Sequence, residues 1–338
     1  MIRPPRFWSL QRLSAPALLL APLGGLYGWV AGRRMRRKPR ATADVPVLCI
    51  GNYVVGGAGK TPTALEIARI ARSLGFNPGF LTRGYGGSVR EPLRVDPDQH
   101  DAARVGDEAL LLAEAGPVVV SPDRPAGLAL LAAQGVDLIL MDDGFQNPSL
   151  RKDLSLIVVD GASGIGNGLV FPAGPLRAPM RIQMVRTDAV ILVGDGKAGD
   201  AMVRRASRAG KSVLKAKLEP EALRVWGPRP YLAFAGIGRP EKFFNTLDAA
   251  GVPLGEVRPF PDHHAYTEDD ARKLLARADA EGLDLITTSK DFARLSRRDG
   301  ELAKLRERCR VFPVRMRFEN EARIAALIAE TVRRVATR

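Results

Sequence analysis

The stretch VPVLCIGNYVVGGAGKTPTALEIARIARSLG, residues 45–75, decides the fold. Its first part, Val45 to Gly51, is a short apolar run, and its last part, Thr61 to Leu74, carries apolar residues at helical spacing. Between them lie a glycine-rich turn and a Lys-Thr pair. A buried strand, a glycine turn and a helix in this order make a phosphate cradle. Gly56, Gly57, Ala58 and Gly59 let successive backbone N–H groups turn toward phosphate oxygens. Lys60 then reaches the β- and γ-phosphates, and the Thr61 hydroxyl faces Mg2+. The strict spacing of the motif is not met: Val54 stands where its first glycine belongs, and Gly51 lies three residues earlier. The context is the one the motif requires, and it predicts a bound nucleoside triphosphate. Pro62 falls in the first helical turn, where its missing N–H costs nothing.

Beyond this unit, apolar runs keep alternating with helical segments: PGFLTRG (78–84), DEALLLAEA (107–115), PVVVSPDR (117–124), PAGLALLAAQG (125–135) and VDLILMDD (136–143). Strands apolar on both faces, separated by helices, indicate a doubly wound, mainly parallel α/β sheet. DLSLIVVDG and TDAVILVG add two strands, with the Gly/Pro-rich loop NGLVFPAGPLRAPM between them. The pattern restarts near Pro230, which predicts a second, smaller α/β lobe. The expected division is an apolar N-terminal helix with a basic flank over 1–40, a P-loop domain over 41–225, and a smaller lobe ending in a helix over 226–338. Val213–Leu218 and Val311–Phe318 alternate apolar with polar residues, and are expected to pair as the two-stranded connection between lobes.

The formal charge of +14 suggests nucleic acid, but its distribution argues against that partner. Residues 1–40 hold nine Lys/Arg and no acid, so the remaining chain has 42 basic against 37 acidic residues, a net +5. Twenty uncharged residues, Leu13 to Gly32, precede RRMRRKPR. At about 1.5 Å per residue they reach across a bilayer core of about 30 Å. Pro16, Pro22 and four glycines weaken a straight span, and Trp8, Tyr27 and Trp29 suit the headgroup boundary, so an interfacial helix is the other arrangement. A cleaved signal peptide and a buried core helix are the competing readings. The basic flank predicts an anionic membrane surface as partner, with the rest of the chain on its cytoplasmic side. Cys49 and Cys309 stand far apart in the sequence without metal-ligand spacing, which fits a reducing compartment.

Three groups of side chains carry candidate chemistry. Asp142 and Asp143 end an apolar strand, where a P-loop protein places its metal-side carboxylate. Asp107 and Glu108 open a helix, a position that also suits simple pairing with the helix dipole. His263 and His264 precede a helix that Thr267 and Asp270 are placed to cap reciprocally. Arg83, Arg124 and Arg177 follow strands or lie in Gly/Pro loops, where a guanidinium meets phosphate or plain solvent.

Taken together, GNYVVGGAGKTP, LTRGYGG, RVGDE, SPDR, DDGFQ, FPAGPLR, AGIGRP, FPDHH and TSKD occur in the order found in the tetraacyldisaccharide 4′-kinases of lipid A biosynthesis. The chain resembles that family over nearly its whole length, including the apolar N-terminus and the missing first glycine. The resemblance implies an enzyme at the cytoplasmic face of the bacterial inner membrane. It would use ATP and Mg2+ to phosphorylate the 4′-hydroxyl of a tetraacylated glucosamine disaccharide 1-phosphate. It implies Asp107 and His263 as the dyad that activates this hydroxyl, with His264 the lesser candidate. Lys60 and Thr61 would serve ATP and Mg2+, with Asp142, Asp143 and Glu108 on the metal side. Arg83, Arg124, Gln146 and Arg177 would hold phosphates or acceptor. One departure is Ala178, where the family commonly shows glutamate.

The rival from another class is a P-loop ATPase that cycles on and off the membrane as a switch or positioning factor. ATP turnover that depends on a glycolipid acceptor separates the two. The sequence does not specify an oligomeric state.

Overall fold

The computed structural model describes residues 5–10, 13–221, 227–295 and 299–338. The strands of the larger sheet are β1 Val47–Gly51, β2 Pro78–Thr82, β3 Leu93–Arg94, β4 Val118–Val120, β5 Leu138–Asp142, β6 Leu154–Asp160, β7 Ala189–Val193 and β8 Ser212–Pro220. The smaller sheet holds β9 Tyr231–Ala235, β10 Leu254–Pro259, β11 Asp284–Thr288 and β12 Cys309–Phe312, and the final strand, β13 Val314–Phe318, returns to the larger one. The larger sheet runs β13-β8-β7-β6-β1-β5-β2-β4-β3, and the smaller runs β10-β9-β11-β12. From β8 to β4 every neighbour is parallel, and antiparallel strands close both edges. This is the doubly wound, mainly parallel architecture expected of the sequence.

Parallel strands covered on both faces must be apolar throughout, and β1 shows why. Successive side chains point to opposite faces. Leu48 and Ile50 join the core with Ala64, Ile67 and Ala71 of the P-loop helix Lys60–Ser73, while Val47 and Cys49 join the core on the opposite face with Met141 and Ile157. The chain winds outward from β1 through β2 and β4, returns through β5, then builds the other side through β6 to β8. Strand order therefore reverses at β1, which opens a crevice at the carboxyl ends of the strands, where ligands bind in such sheets.

The expected pairing of Val213–Leu218 with Val311–Phe318 occurs in part. Arg315 to Phe318 pair antiparallel with Glu219 to Ala216. Pro313 divides the second run: it has no N–H to give to a ladder. Arg310 to Phe312 pair with β11 in the smaller sheet, and Val314 onward pairs in the larger. The final helix, Glu321–Ala336, follows β13 and buries Ile324 and Ile328 in the larger lobe's core, while Arg315 grips Glu66 of the P-loop helix at 2.6 and 3.0 Å. Residues 314–338 thus pack with the larger lobe and not within a unit 226–338, because their apolar faces complete that core. The proposed boundary at 225/226 lies outside the described residues.

The helix Ala15–Met35 lies along the body. Gly24, Gly28 and Gly32 share one face at a spacing of four, and each is buried. That ridge approaches Val170, Pro179 and Ile182. A side chain on Gly24 would stand 2.8 Å from the Val170 carbonyl oxygen, so only hydrogen permits the contact. The other faces expose Leu19 at 81%, Trp29 at 64% and Leu26 at 62%. Trp8 pins the start of this region by donating from Nε1 to the Pro172 carbonyl at 3.0 Å.

Candidate active site

The glycine turn between β1 and the P-loop helix is shaped by backbone freedom. Gly56 and Gly59 have φ of 113° and 89°, values that side chains other than hydrogen rarely allow. Asn52 donates its side-chain amide to the Gly56 carbonyl at 2.9 Å and so holds the turn. Lys60 is buried with Nζ 3.9 Å from Asp143, and the Thr61 hydroxyl points to Asp142 Oδ2 at 3.5 Å.

Asp142 and Asp143 are driven apart by their surroundings. Burial, then the charge of Glu108, pushes the Asp142 carboxyl up to about 7. Its Oδ1 is buried without a hydrogen-bond partner. Burial also opposes ionisation of Asp143, but Lys60 and Arg177 outweigh it and hold that carboxyl below its ordinary range. A carboxylate oxygen left bare beside a threonine hydroxyl, in a place that penalises its charge, fits a divalent cation as the missing neighbour. Mg2+ in nucleotide sites takes few protein ligands and completes its shell with phosphates and water. Accordingly, no group of three or more His, Cys, Asp or Glu is arranged for a metal among the described residues.

Asp107 begins the helix Asp107–Ala113, and His263 lies in the turn after β10. The fold closes the gap: His263 Nδ1 is 3.5 Å from Asp107 Oδ2, with the two lobes meeting there. Burial raises the Asp107 carboxyl, but the His263 contact and the charges of Arg294 and Lys290 hold it well below the usual carboxylate range. His263 has φ of 55° and Asp143 has φ of 53°. Among the described residues these are the non-glycine positions in left-handed backbone, and both belong to this crevice, as strained residues at working sites often do.

His264 meets Asp270 at 3.0 Å and stacks on Phe260, while Thr267 and Asp270 form the reciprocal cap of the helix Glu268–Glu281. Arg177 donates to Asp143 at 2.7 Å and to the Val54 carbonyl at 3.0 Å, so it braces the glycine turn from the loop beneath the N-terminal helix. Gln146 commits its amide nitrogen to the Asn52 carbonyl at 2.7 Å and to Gln183 at 3.0 Å. Arg124 is buried, donates to the Ser121 carbonyl and leaves Nε without a partner. Burial lowers its guanidinium to about 10. Arg83 is exposed after β2. Ala178 is fully buried in an apolar cluster, so the usual glutamate position is part of the core here.

Sequence reasoning missed Asn52, Lys290 and Arg294 as members of the crevice. Lys290 stands within TSKD, and Arg294 follows it by four residues, one helical turn, which was the available signal. Lys290 meets Glu108 at 2.6 Å.

A family model for the tetraacyldisaccharide-1-P 4′-kinases, LpxK, matches residues 16–333. The chain belongs to the tetraacyldisaccharide-1-P 4′-kinase family. It is 55% identical to the tetraacyldisaccharide 4′-kinase of Methylobacterium nodulans over 87% of this chain and 88% of that protein. With the Methylorubrum extorquens protein of the same name, identity is 51% over 97% and 98% of the two chains. The crystal structure of LpxK from Aquifex aeolicus in complex with ATP shares the fold, with a TM-score of 0.71 at 24% identity over 94% of this chain and 99% of that one. As a member of this kinase family, the chain is an ATP-dependent phosphotransferase with ATP and Mg2+ as its cofactors.

Proposed function

We propose that the chain transfers the γ-phosphoryl of ATP to the 4′-hydroxyl of a tetraacylated glucosamine disaccharide 1-phosphate, at the cytoplasmic face of the inner membrane. The carrying observation is the loop 170–182. It receives the glycine ridge of the N-terminal helix on one side and sends Arg177 to Asp143 and the glycine turn on the other. A water-soluble acceptor would need no such link between an exposed apolar helix and the phosphate cradle.

In this reading the amides of Gly56 to Gly59 and Lys60 hold the terminal phosphates. Thr61, Asp142 and Asp143 would hold Mg2+, with Glu108 nearby. Mg2+ when bound neutralises charge on the β- and γ-phosphate oxygens. Asp107 and His263 take the proton of the 4′-hydroxyl as its oxygen bonds to the γ-phosphorus, and the bond to the bridging oxygen breaks to release ADP. Arg124, Arg83 and Arg177 surround the crevice with positive charge for phosphate. The acceptor stays in the bilayer, each buried methylene favouring it by about 0.8 kcal/mol, so the enzyme must come to the surface.

The helix Ala15–Met35 supports surface attachment over a span. Its glycine face rests on the body, and lifting it into hydrocarbon would strip that contact or drag the body after it. Arg33, Arg34, Arg36, Arg37 and Lys38 then face anionic headgroups. The test is purified protein with labelled ATP and the disaccharide 1-phosphate in mixed micelles. Label is expected in lipid; ATP hydrolysis that continues unchanged without acceptor would overturn the reading in favour of a cycling ATPase.

A further inference from the structure

Helix Ser289–Arg294 belongs to the smaller lobe, yet its two cations face the larger one. Lys290 and Arg294 lie one turn apart and meet Glu108 and Asp107, which are adjacent. Arg294 carries the more elaborate set of contacts. Its Nε donates to Asp107 Oδ2 at 2.8 Å, and its Nη2 donates to the same oxygen. Nη1 donates to the Gly236 carbonyl at 2.7 Å and to Asp291 Oδ1 at 2.9 Å. The same Gly236 carbonyl accepts from the His263 backbone N–H at 3.0 Å, and Arg294 Nη2 comes within 3.5 Å of His263 Nδ1.

Arg294 therefore touches both members of the pair, the carboxylate directly and the histidine's turn through Gly236. Its own place is secured by Asp291, which is buried and also accepts from the Tyr266 hydroxyl and the Gly236 N–H, each at 2.9 Å. The guanidinium side chain is 6% exposed, so this is a built network and no surface pairing. A planar fork with several fixed donors suits such a junction, where a lysine could serve one acceptor but not hold the plane.

We propose that Arg294 is a positioning residue for phosphoryl transfer: it locks Asp107 of the larger lobe to the His263 turn of the smaller, so the dyad exists only when the lobes are docked. This rests on the reading of Asp107 and His263 as the groups that take the hydroxyl proton. It adds a residue that touches neither nucleotide nor acceptor and acts through the other two.

The experiment compares Arg294→Gln and Arg294→Lys, each alone and combined with Asp107→Asn, in the full chain. Thermal melting and equilibrium ATP binding are measured beside acceptor phosphorylation. Arg294→Gln should lower kcat by roughly 10–100-fold while the Kd for ATP stays within about twofold, since a misplaced dyad harms only the transfer step. Arg294→Lys should recover part of the loss, as it restores charge without the fork. In the Asp107→Asn background, Arg294→Gln should add less than about threefold, because both changes act through one carboxylate.

A folded Arg294→Gln protein with normal kcat would overturn the inference, as would a loss that multiplies fully with that of Asp107→Asn. If Arg294→Gln does not fold, Arg294→Lys decides alone: a folded lysine variant with normal kcat shows that the fork is not needed. Near-normal transfer by Asp107→Asn would instead remove the dyad reading itself, an outcome separate from collapse of Asp107→Asn with an active Arg294→Gln.

Discussion

The crevice and the N-terminal helix break the ordinary rules of burial in opposite directions. The crevice buries charge: Lys60, Asp107, Arg124 and Asp142 are each less than 9% exposed. The helix exposes apolar surface, with Leu19, Leu23, Leu26 and Trp29 all more than half in the open. Each arrangement is costly for the isolated chain and is relieved by a partner of the matching chemistry. In the proposed function, that partner is a polyphosphate with its cation for the crevice and a lipid surface for the helix. The contrast teaches that unsatisfied physics, read with its sign, says what kind of molecule completes a site.

The sharpest way to break the crevice half is Asp107→Asn, expected to lower kcat by about 10²–10⁴-fold with ATP binding retained. Steady-state transfer with equilibrium ATP binding reads this, and near-normal turnover would end the dyad assignment. On the helix, Leu19→Ser with Leu23→Ser and Leu26→Ser removes three exposed leucines, each worth about 1.5–3 kcal/mol in lipid. Vesicle sedimentation should fall at least about 100-fold, with stability lowered by no more than about 1 kcal/mol, the helix-propensity difference, because the three face outward. A triple variant that still sediments would show that these leucines are not the lipid-facing surface. Lys60→Ala should reduce kcat by about 10²–10³-fold and, unlike Asp107→Asn, weaken ATP binding as well.

A finer test concerns the charge that the fold penalises. The Asp142 carboxyl is raised in the folded state, to about 7, so the folded chain holds a proton there that the unfolded chain has already lost. Without Mg2+ and ATP, this group's contribution to stability is fully present below about pH 4 and fades as pH rises through about 7. Melting in metal-free buffer should therefore decline across that window, and Mg2+ with ATP should restore it most at the upper end. Asp142→Asn should make the metal-free protein more stable by about 1–3 kcal/mol at pH 8 while destroying transfer. Equal stability of the two proteins at pH 8 would contradict the penalty.

The smallest effects lie within the helix itself. A methyl group on Gly25 would meet nothing within 4 Å, so Gly25→Ala should stabilise by about 0.5–1 kcal/mol through helix propensity alone. Gly24→Ala meets the Val170 carbonyl and should destabilise by up to about 1–2 kcal/mol, the steric cost exceeding the same propensity gain. Chemical denaturation of both variants measures the difference, and identical behaviour would mean that the ridge does not rest on the body.

Much of this was legible because it is local. A strand, a glycine turn and Lys60-Thr61 sit within one short stretch, and their chemistry depends on neighbours in the chain. The reciprocal cap of Thr267 and Asp270 was readable for the same reason. Asp107 and His263 were nameable together only through family likeness, since no periodicity links residues so distant. The structure places His263 beside Asp107 and His264 beside Asp270, a difference that no local pattern records. The run Val311–Phe318 reads as one strand because alternation cannot say which sheet a strand joins; Pro313 divides it between two.

By itself, the sequence determined the phosphate cradle, the parallel α/β class and the apolar, base-flanked N-terminus, because each is encoded in residue order over a few turns or strands. Only the tertiary structure decided that Arg294 and Lys290 cross from one lobe to the acids of the other. It also decided that the N-terminal glycines face Val170 and Pro179, and that Asp142 keeps an oxygen bare. Those facts depend on long-range packing, in which side chains far apart in the chain lose water and gain each other, and no local pattern records which partner each will meet.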